Sequence, residues 1–483
     1  MSIGRRSARW TGGRSFGTSL RLVGLGLVVV LLASGFAGGN VPGTSRAATS
    51  VVAVAGELTV TQGKFALSPG FFGVNVHVVG EDNQTLAGLA NGTPFVSYRF
   101  SPMGEATDQV HALTYSQNGV PSPTYGQTDA QFVTWCRWVH CHATMMVPAE
   151  IDNPSEAATT VRYVEQTLGF HPSYWAIGNE PQQWTHWKTP WSKWRTTDHS
   201  TPSPAQYALE VQHYVRAMRA VDPKIRIIGI ESVVGGTLAD GWFKDLMKVD
   251  GPNLTAVAYH AYPLGAGNVG ASLGRFYGGL TNPQAFPLNY PVTKSILRSA
   301  CPTCKVSVFV DEFNSALGGN FTGYMIGYPE VPFIGAAVIA ALREDASRVL
   351  FFDLEDLDGQ QPYGLATVGG GPRESYLLMS TFFERVATGS VEKSAIAGGP
   401  RGVYEVLTSN STSTSLFVIN TNLTDSLSLT LPPKTNVFSD PLSEYTWIPP
   451  SPTPTGPVAV PHPAGTIWSV PPQSLLLLSW DAV

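Results

Sequence analysis

The chain has 483 residues, room for about three units of ~150 residues, or for one α/β barrel of ~250 with a smaller companion. Hydrophobic residues make up 43%, enough for a large core, which excludes wholesale disorder. Charged residues reach only 13% against the usual ~25%, and 35 acids against 30 bases leave a net charge of -5, the opposite of the basic balance of a nucleic-acid-binding protein. Low charge with 12 Trp, 17 Tyr and 22 Phe suits a protein that handles neutral polymers outside the cell, and it fits an ordinary extracellular β-rich protein equally well.

The N-terminus reads as an address. Arg5, Arg6, Arg9, Arg14 and Arg21 stand in a stretch without an acid, followed by an apolar run from Leu22 to Ala37. That run is short for a spanning helix and long enough for the apolar part of a signal peptide. Residues 1–48 are therefore a secretion signal, with small residues around Ala47 and Ala48 as a loose cleavage context, or an uncleaved N-terminal anchor. Either way the rest of the chain is expected to be secreted or at the cell surface, with no other membrane contact. Four cysteines agree with export. Cys301 and Cys304 have turn spacing that allows a bridge, and Cys136 and Cys141 can pair only if a helix ends between them. A zinc set of Cys136, His140, Cys141 and His142 is too crowded to be favoured, so no metal or other cofactor is expected. Sequons begin at Asn83, Asn91, Asn253, Asn320, Asn410 and Asn422.

Residues 57–68 alternate, and a strand over 49–69 is expected to join a C-terminal sheet. From there, eight continuous apolar runs follow: Phe71–Val78, Phe95–Phe100, Ala143–Val147, Tyr174–Ile177, Ile225–Ile230, Leu254–Tyr259, Val306–Val310 and Arg348–Phe352. Continuous runs mark strands buried on both faces. Helical stretches separate many of them, at 128–139, 155–168, 204–221, 237–249, 291–299 and 331–345, and another covers 373–388. Ser203 and Pro204 open the third helix, and Asp222-Pro223 close it. The fold class is thus α/β, a (β/α)8 TIM barrel over 70–388. Beyond it, Val403–Leu407, Ser415–Ile419, Leu427–Leu431 and Ser474–Trp480 are short runs separated by Ser, Thr, Asn and Pro, the texture of a β-sandwich domain over 389–483. The Pro-rich stretch 449–464 reads as a long loop.

A barrel does its chemistry at the C-terminal ends of its strands. The fourth run ends in Trp175-Ala176-Ile177-Gly178-Asn179-Glu180-Pro181, and the seventh in Val310-Asp311-Glu312-Phe313-Asn314. Each puts a glutamate just past an apolar strand, where a carboxylate is costly unless it is paired or used. Two opposed carboxyl groups are the equipment of glycoside hydrolysis: one protonates the leaving oxygen, the other attacks the anomeric carbon or activates water.

These two segments resemble the signature of the clan A glycoside hydrolases. The resemblance implies that Glu180 is the acid/base, Glu312 the nucleophile and Asn179 a donor to the sugar 2-hydroxyl. It covers the barrel, and Pro471-Pro472-Gln473-Ser474-Leu475-Leu476 is similar to the last strand of the accessory domain in such families. Arg99, inside an apolar run, is expected to hold Glu312 ionised, and Tyr262 in the segment from Tyr259 to Pro263 to donate to it; His260 stands in the same segment. Trp184, Trp187, Trp191 and Trp194 follow the acid/base as candidate platforms for sugar faces. Asn75, His77, Asp353 and Glu355 end other strands as weaker candidates. After Glu312 the chain reads Phe313-Asn314-Ser315-Ala316-Leu317-Gly318-Gly319, which resembles the loop of the family 79 heparanase and β-glucuronidase enzymes, where a Tyr-Gly-Gly segment binds the uronate carboxylate. Gly318 and Gly319 match; Leu317 replaces the tyrosine. Arabinofuranosidase and xylosidase families of the clan remain open. A retaining hydrolase of extracellular oligo- or polysaccharides or glycosides is the expectation, with a carbohydrate as its partner. The rival is a non-catalytic carbohydrate-binding or cell-wall protein, which would need no such pair of glutamates. A metal-dependent hydrolase is disfavoured because the chain has no HExxH-type set.

Overall fold

The computed structural model describes residues 52–76, 83–100, 128–147, 149–150, 153–184, 187, 201–265, 270–282, 285–317, 319–356, 362–386, 389–432, 442–448, 458–460 and 467–481. Strand β1 (Ala53–Ala66) precedes a closed barrel of eight parallel strands: β2 (Phe72–Val76), β3 (Ser97–Phe100), β4 (His142–Val147), β5 (Tyr174–Ile177), β6 (Ile227–Ser232), β7 (Ala256–Ala261), β8 (Ser307–Phe313) and β9 (Val349–Phe351). Each barrel strand is followed by a helix, at Asn83–Asn91, Asp129–Trp138, Pro154–Arg162, Pro204–Arg219, Asp240–Asp250, Phe286–Ala300, Glu330–Arg343 and Glu374–Thr381. The α/β barrel expected from the apolar runs is therefore present, with one helix, Asn83–Asn91, that the sequence reading had not placed.

Local chemistry sets the helix starts. Thr128, Asn153 and Ser203 each accept a hydrogen bond from the first turn, and Gln131, Glu156 and Gln206 reach back to complete capping boxes. The helix Phe286–Ala300 begins five residues earlier than the expected 291 and carries Pro291 inside it. Proline at a helix start is the usual pattern, which makes Pro291 look like a first position, although the helix is already under way there. The helix Asp129–Trp138 ends before Cys141 and His140 takes φ 52°, so Cys136 and Cys141 come to a Cα separation of 5.1 Å and form a disulfide. Cys301 and Cys304 form the second. Among the described residues no single helix is long and apolar enough to cross a membrane.

The second module is one nine-stranded sheet, made of β1 with β10 (Ser390–Gly398), β11 (Val403–Ser409), β12 (Ser413–Asn420), β13 (Ser426–Thr430), β14 (Leu442–Trp447), β15 (Val458–Val460), β16 (Ile467–Val470) and β17 (Ser474–Asp481). Its order is β15-β14-β17-β12-β11-β10-β1-β13-β16, so β1 is an interior strand, antiparallel to β10 and parallel to β13. β15 falls within the stretch read as a Pro-rich loop. Strand alternation gives the sheet two dry faces. Leu416, Val418, Leu476, Leu478 and Trp480 join Leu58, Leu427 and Trp468 in the sheet's own core. Phe417, Ile419, Leu475 and Leu477 point the other way, into the barrel's core. Phe417 packs on Phe382 and Phe383 at ring separations of 5.3 and 5.2 Å. Burial on both faces fixes the sheet against the barrel.

The barrel strands alternate likewise. Tyr98, Phe100, Tyr259, Val308 and Val310 face the helices, while Met146, Ala176, Ile228, Ala256, Ala258 and Phe309 fill the interior. By the same alternation Arg99, His260 and Asp311 point inward.

Candidate active site

Three local distortions gather the carboxyl groups at the C-terminal end of the barrel. In the turn after β5, Gly178 takes φ 66° and Glu180 φ 46°, left-handed backbone that is costly for a glutamate. A Cβ on residue 178 would lie 2.5 Å from the Trp184 ring, so glycine is needed there. The Glu180 amide donates to the Glu231 carbonyl at 2.8 Å, which pins the turn to β6. In β8 the register against β7 slips, pairing Tyr259 with Val310 but His260 with Glu312. Asp311 is the extra residue of this bulge, and so Asp311 and Glu312, neighbours in sequence, both reach the site. A similar slip in β6, from Ile228 to Glu231, brings in Glu231.

Arg99 is the hub and is fully buried. Its Nε and Nη2 donate to the two oxygens of Glu231 at 3.1 and 2.5 Å, a bidentate pair. Nη1 donates to Glu312 Oε1 and Asn75 Oδ1, both at 2.7 Å, and Nη2 also to Asn179 Oδ1 at 2.7 Å. Tyr262 donates to Glu312 Oε2 at 2.9 Å, so each Glu312 oxygen has a donor. Burial first, then the charge of Glu312, pushes the Tyr262 phenol well above its ordinary range and keeps it a donor. His260 Nδ1 lies 2.6 Å from Glu180 Oε1 and 3.4 Å from Glu312 Oε2. Burial disfavours the imidazolium, but Glu312 and Glu180 outweigh it and lift the His260 pKa to about 9. Gln183 donates to the other Glu180 oxygen at 2.8 Å. An oxygen of Glu180 and one of Glu312 lie within 4.8 Å of each other.

Of the residues singled out from sequence, the structure brings together Glu180, Glu312, Asn179, Arg99, His260, Tyr262 and Asn75. It gives Trp184 a different place. Trp184 is 3% exposed, its Nε1 donates to the Asn179 carbonyl at 2.6 Å, and its ring packs edge-on against Tyr207. The expected sugar platform is thus a buried brace beneath the Glu180 turn, because the tight turn at Gly178 folds the chain back over it. Trp191, Trp194, His77 and Gly318 lie outside the described residues. Gly319 is exposed with φ 66° and opens a short turn to Phe321. Asp353 is buried, and Glu355 accepts from the Gly369 amide. Sequence reading missed Glu231 and gave Asp311 no role, although an acid directly after an apolar run is the same signal that marked Glu180 and Glu312.

Glu180, His260 and Glu312 are also the kind of residues that ligate metals. The 2.6 Å His260–Glu180 contact is nevertheless a hydrogen-bond length. Two ligands on a tetrahedral zinc, with bonds of about 2.1 Å, sit roughly 3.4 Å apart. The donor set fits a shared proton better than an ion.

No family model matches the chain, and no curated protein matches it in sequence. Solved structures do match in fold. A family 51 α-L-arabinofuranosidase from Bifidobacterium longum superposes with a TM-score of 0.67 at 13% identity, covering 90% of this chain and 100% of that one. An α-L-arabinofuranosidase from Thermotoga maritima, solved with arabinose, gives 0.63 at 12% identity, covering 89% and 99%. A family 44 xyloglucanase from Paenibacillus polymyxa gives 0.63 at 10% identity, covering 89% and 100%. Coverage of that extent includes both modules, so the chain shares with these glycoside hydrolases the whole architecture of a (β/α)8 barrel carrying a β-domain.

Proposed function

We propose that the chain is a retaining glycoside hydrolase working by double displacement. The observation that carries this reading is the pair Glu180 and Glu312, with oxygens within 4.8 Å across the strand ends. Retention needs carboxyl groups about 5–5.5 Å apart, whereas inversion needs about 6.5–9.5 Å to admit a water. The clan A likeness of their flanking sequences and the fold of the glycoside hydrolases above support the same reading.

Glu312, held as an anion by Arg99 and Tyr262, attacks the anomeric carbon and forms an ester to the sugar as the bond to the leaving oxygen breaks. The leaving oxygen takes the proton that Glu180 and His260 share at 2.6 Å. Glu180 then removes a proton from water, which attacks the same carbon and returns Glu312 to its anionic form. Asn179 presents its Oδ1 to Arg99, which makes the other end of the amide a donor for a sugar hydroxyl.

The substrate class favoured is a neutral glycoside, an arabinofuranoside or a xyloside, over a uronide. A uronate carboxylate would gain from a cation, and among the described residues Arg99 is committed to Glu231 and Glu312, His260 to Glu180, and Arg373 to Asp356. Leu317 at the tyrosine position of the family 79 loop removes a further donor. The test is a panel of aryl glucuronide, arabinofuranoside, xyloside, galactoside and glucoside with a chelator present. Cleavage of a neutral glycoside supports the proposal; preference for the glucuronide transfers it to family 79 chemistry. No cleavage of any sugar supports the carbohydrate-binding alternative. We further propose that the protein acts outside the cytoplasm, a reading supported by its two disulfides and its N-terminal arginine-then-apolar segment.

A further inference from the structure

Beneath the two glutamates lies a third carboxyl group with no part in the reaction as described. Asp311 is fully buried, its Oδ2 3.9 Å from Arg99 Nε and its Oδ1 3.6 Å from His260 Nε2. An oxygen of Asp311, one of Glu231 and a ring nitrogen of His260 all lie within 4.8 Å of one another. The charged groups that act on it come from several strands: Arg99 from β3, Glu231 from β6, His260 from β7, and Arg348 just before β9. Neither Asp311 oxygen has a hydrogen-bond partner among the described residues, and one of them lies within 4.8 Å of a Glu231 oxygen. Two ionised carboxylates are both acceptors only, so this close pair can be joined by a hydrogen bond only with a proton on one of them. Glu231 holds the bidentate arginine, which favours its anion and draws its pKa down despite burial. Asp311 has no such pair, and burial followed by the charge of Glu231 pushes its pKa well up.

We propose that Asp311 is a neutral positioning residue, carrying a proton donated to Glu231 and thereby leaving Arg99 to face two anions, Glu231 and Glu312, rather than three. Were Asp311 ionised, it would compete with Glu231 and Glu312 for the Arg99 guanidinium in a dry interior, where unpaired charge is costly. The bulge in β8 serves this arrangement, since it sets the neutral acid and the anionic one side by side on the same strand. The proposal rests on the retaining reading only for its kinetic arm.

The experiment uses the full chain with Asp311→Asn, a neutral donor of nearly the same shape, and Asp311→Ala, which cannot donate. The asparagine variant should keep kcat/KM within about threefold of the parent with the acid limb of its pH profile unmoved, while alanine loses about a hundredfold. The infrared difference between parent and Asp311→Asn at neutral pH should contain the carbonyl stretch of a protonated carboxyl. If asparagine is as damaging as alanine in a cooperatively folded protein, or the band is missing, the proposal is overturned. Should neither variant fold, carboxyl-labelled aspartate in the otherwise intact Asp353→Asn protein decides by NMR. One aspartate carboxyl should stay protonated in mildly alkaline buffer, and none doing so overturns the proposal. A protonated-carboxyl band without any glycoside turnover would refute the hydrolase reading and leave the neutral Asp311 standing.

Discussion

His260 links the site to the stability of the fold, and the link has a sign and a size. Its side chain is fully buried between Glu180 and Glu312, and its pKa is lifted to about 9. In the unfolded chain a histidine titrates near ~6.5. A folded-state pKa above the unfolded one means that the native protein binds the proton more tightly. The contribution is therefore complete below ~6.5 and disappears as pH rises through about 9. A gap of about 2.5 units at 1.36 kcal/mol each makes it about 3 kcal/mol. Asp129, Glu330 and Glu405, lifted by burial to about 7, 8 and 7, titrate in the same window, so the parent's pH dependence alone is ambiguous. The difference between the parent and His260→Gln removes them. Urea denaturation at a series of pH values should find the parent more stable by an amount that shrinks by about 3 kcal/mol between ~6.5 and ~9.5. A difference that stays flat, or widens, across that range would refute the argument that the two glutamates hold a protonated imidazole between them.

Three other perturbations separate the roles of neighbouring residues. Glu180→Ala should lose activity mainly on glycosides with poor leaving groups, and azide should rescue it to give a glycosyl azide of retained configuration; a retained azide from Glu312→Ala together with an inverted one from Glu180→Ala would mean the roles are exchanged. Arg99→Leu strands Glu231 and Glu312 as buried anions and should cost about 3–5 kcal/mol in denaturant melts, with turnover lost, and Arg99→Lys should restore little because one ammonium cannot reproduce the bidentate fork. Gly73→Ala should destabilise the barrel by about 1–3 kcal/mol or more without changing KM, because the new Cβ would sit 2.3 Å from the backbone oxygen of Ser97, which cannot move aside as a side chain can.

The barrel was readable in sequence because its strands are buried on both faces and therefore appear as unbroken apolar runs. The helix Asn83–Asn91 was not, since it is only nine residues long, Thr85 and Gly88 interrupt its helix formers, and tertiary packing of Leu86 and Leu89 decides it. β14 and β15 hide among prolines for the same reason, with β14 held by its pairing with β17. The two glutamates stood out by position, at the ends of apolar runs. Glu231 obeyed the same rule and was overlooked one residue past Ile230. Alternation sends Asp311 inward and would turn Glu312 to the opposite face; only the bulge brings both to the site. Trp184 shows the converse. An aromatic cluster after an acid/base reads as a sugar platform, but whether an indole is exposed depends on how the turn at Gly178 folds, and here the ring is underneath.

The central claim is that Glu312 becomes covalently bonded to the sugar. A 2-deoxy-2-fluoro glycoside with an activated leaving group, built on whichever sugar the aryl panel selects, slows the second step more than the first and lets the intermediate accumulate. Peptide mapping by mass spectrometry should then place the added sugar on Glu312 alone, with turnover lost in proportion to labelling. A label on Glu180 or Asp311, or complete inactivation without any covalent sugar, would contradict the account.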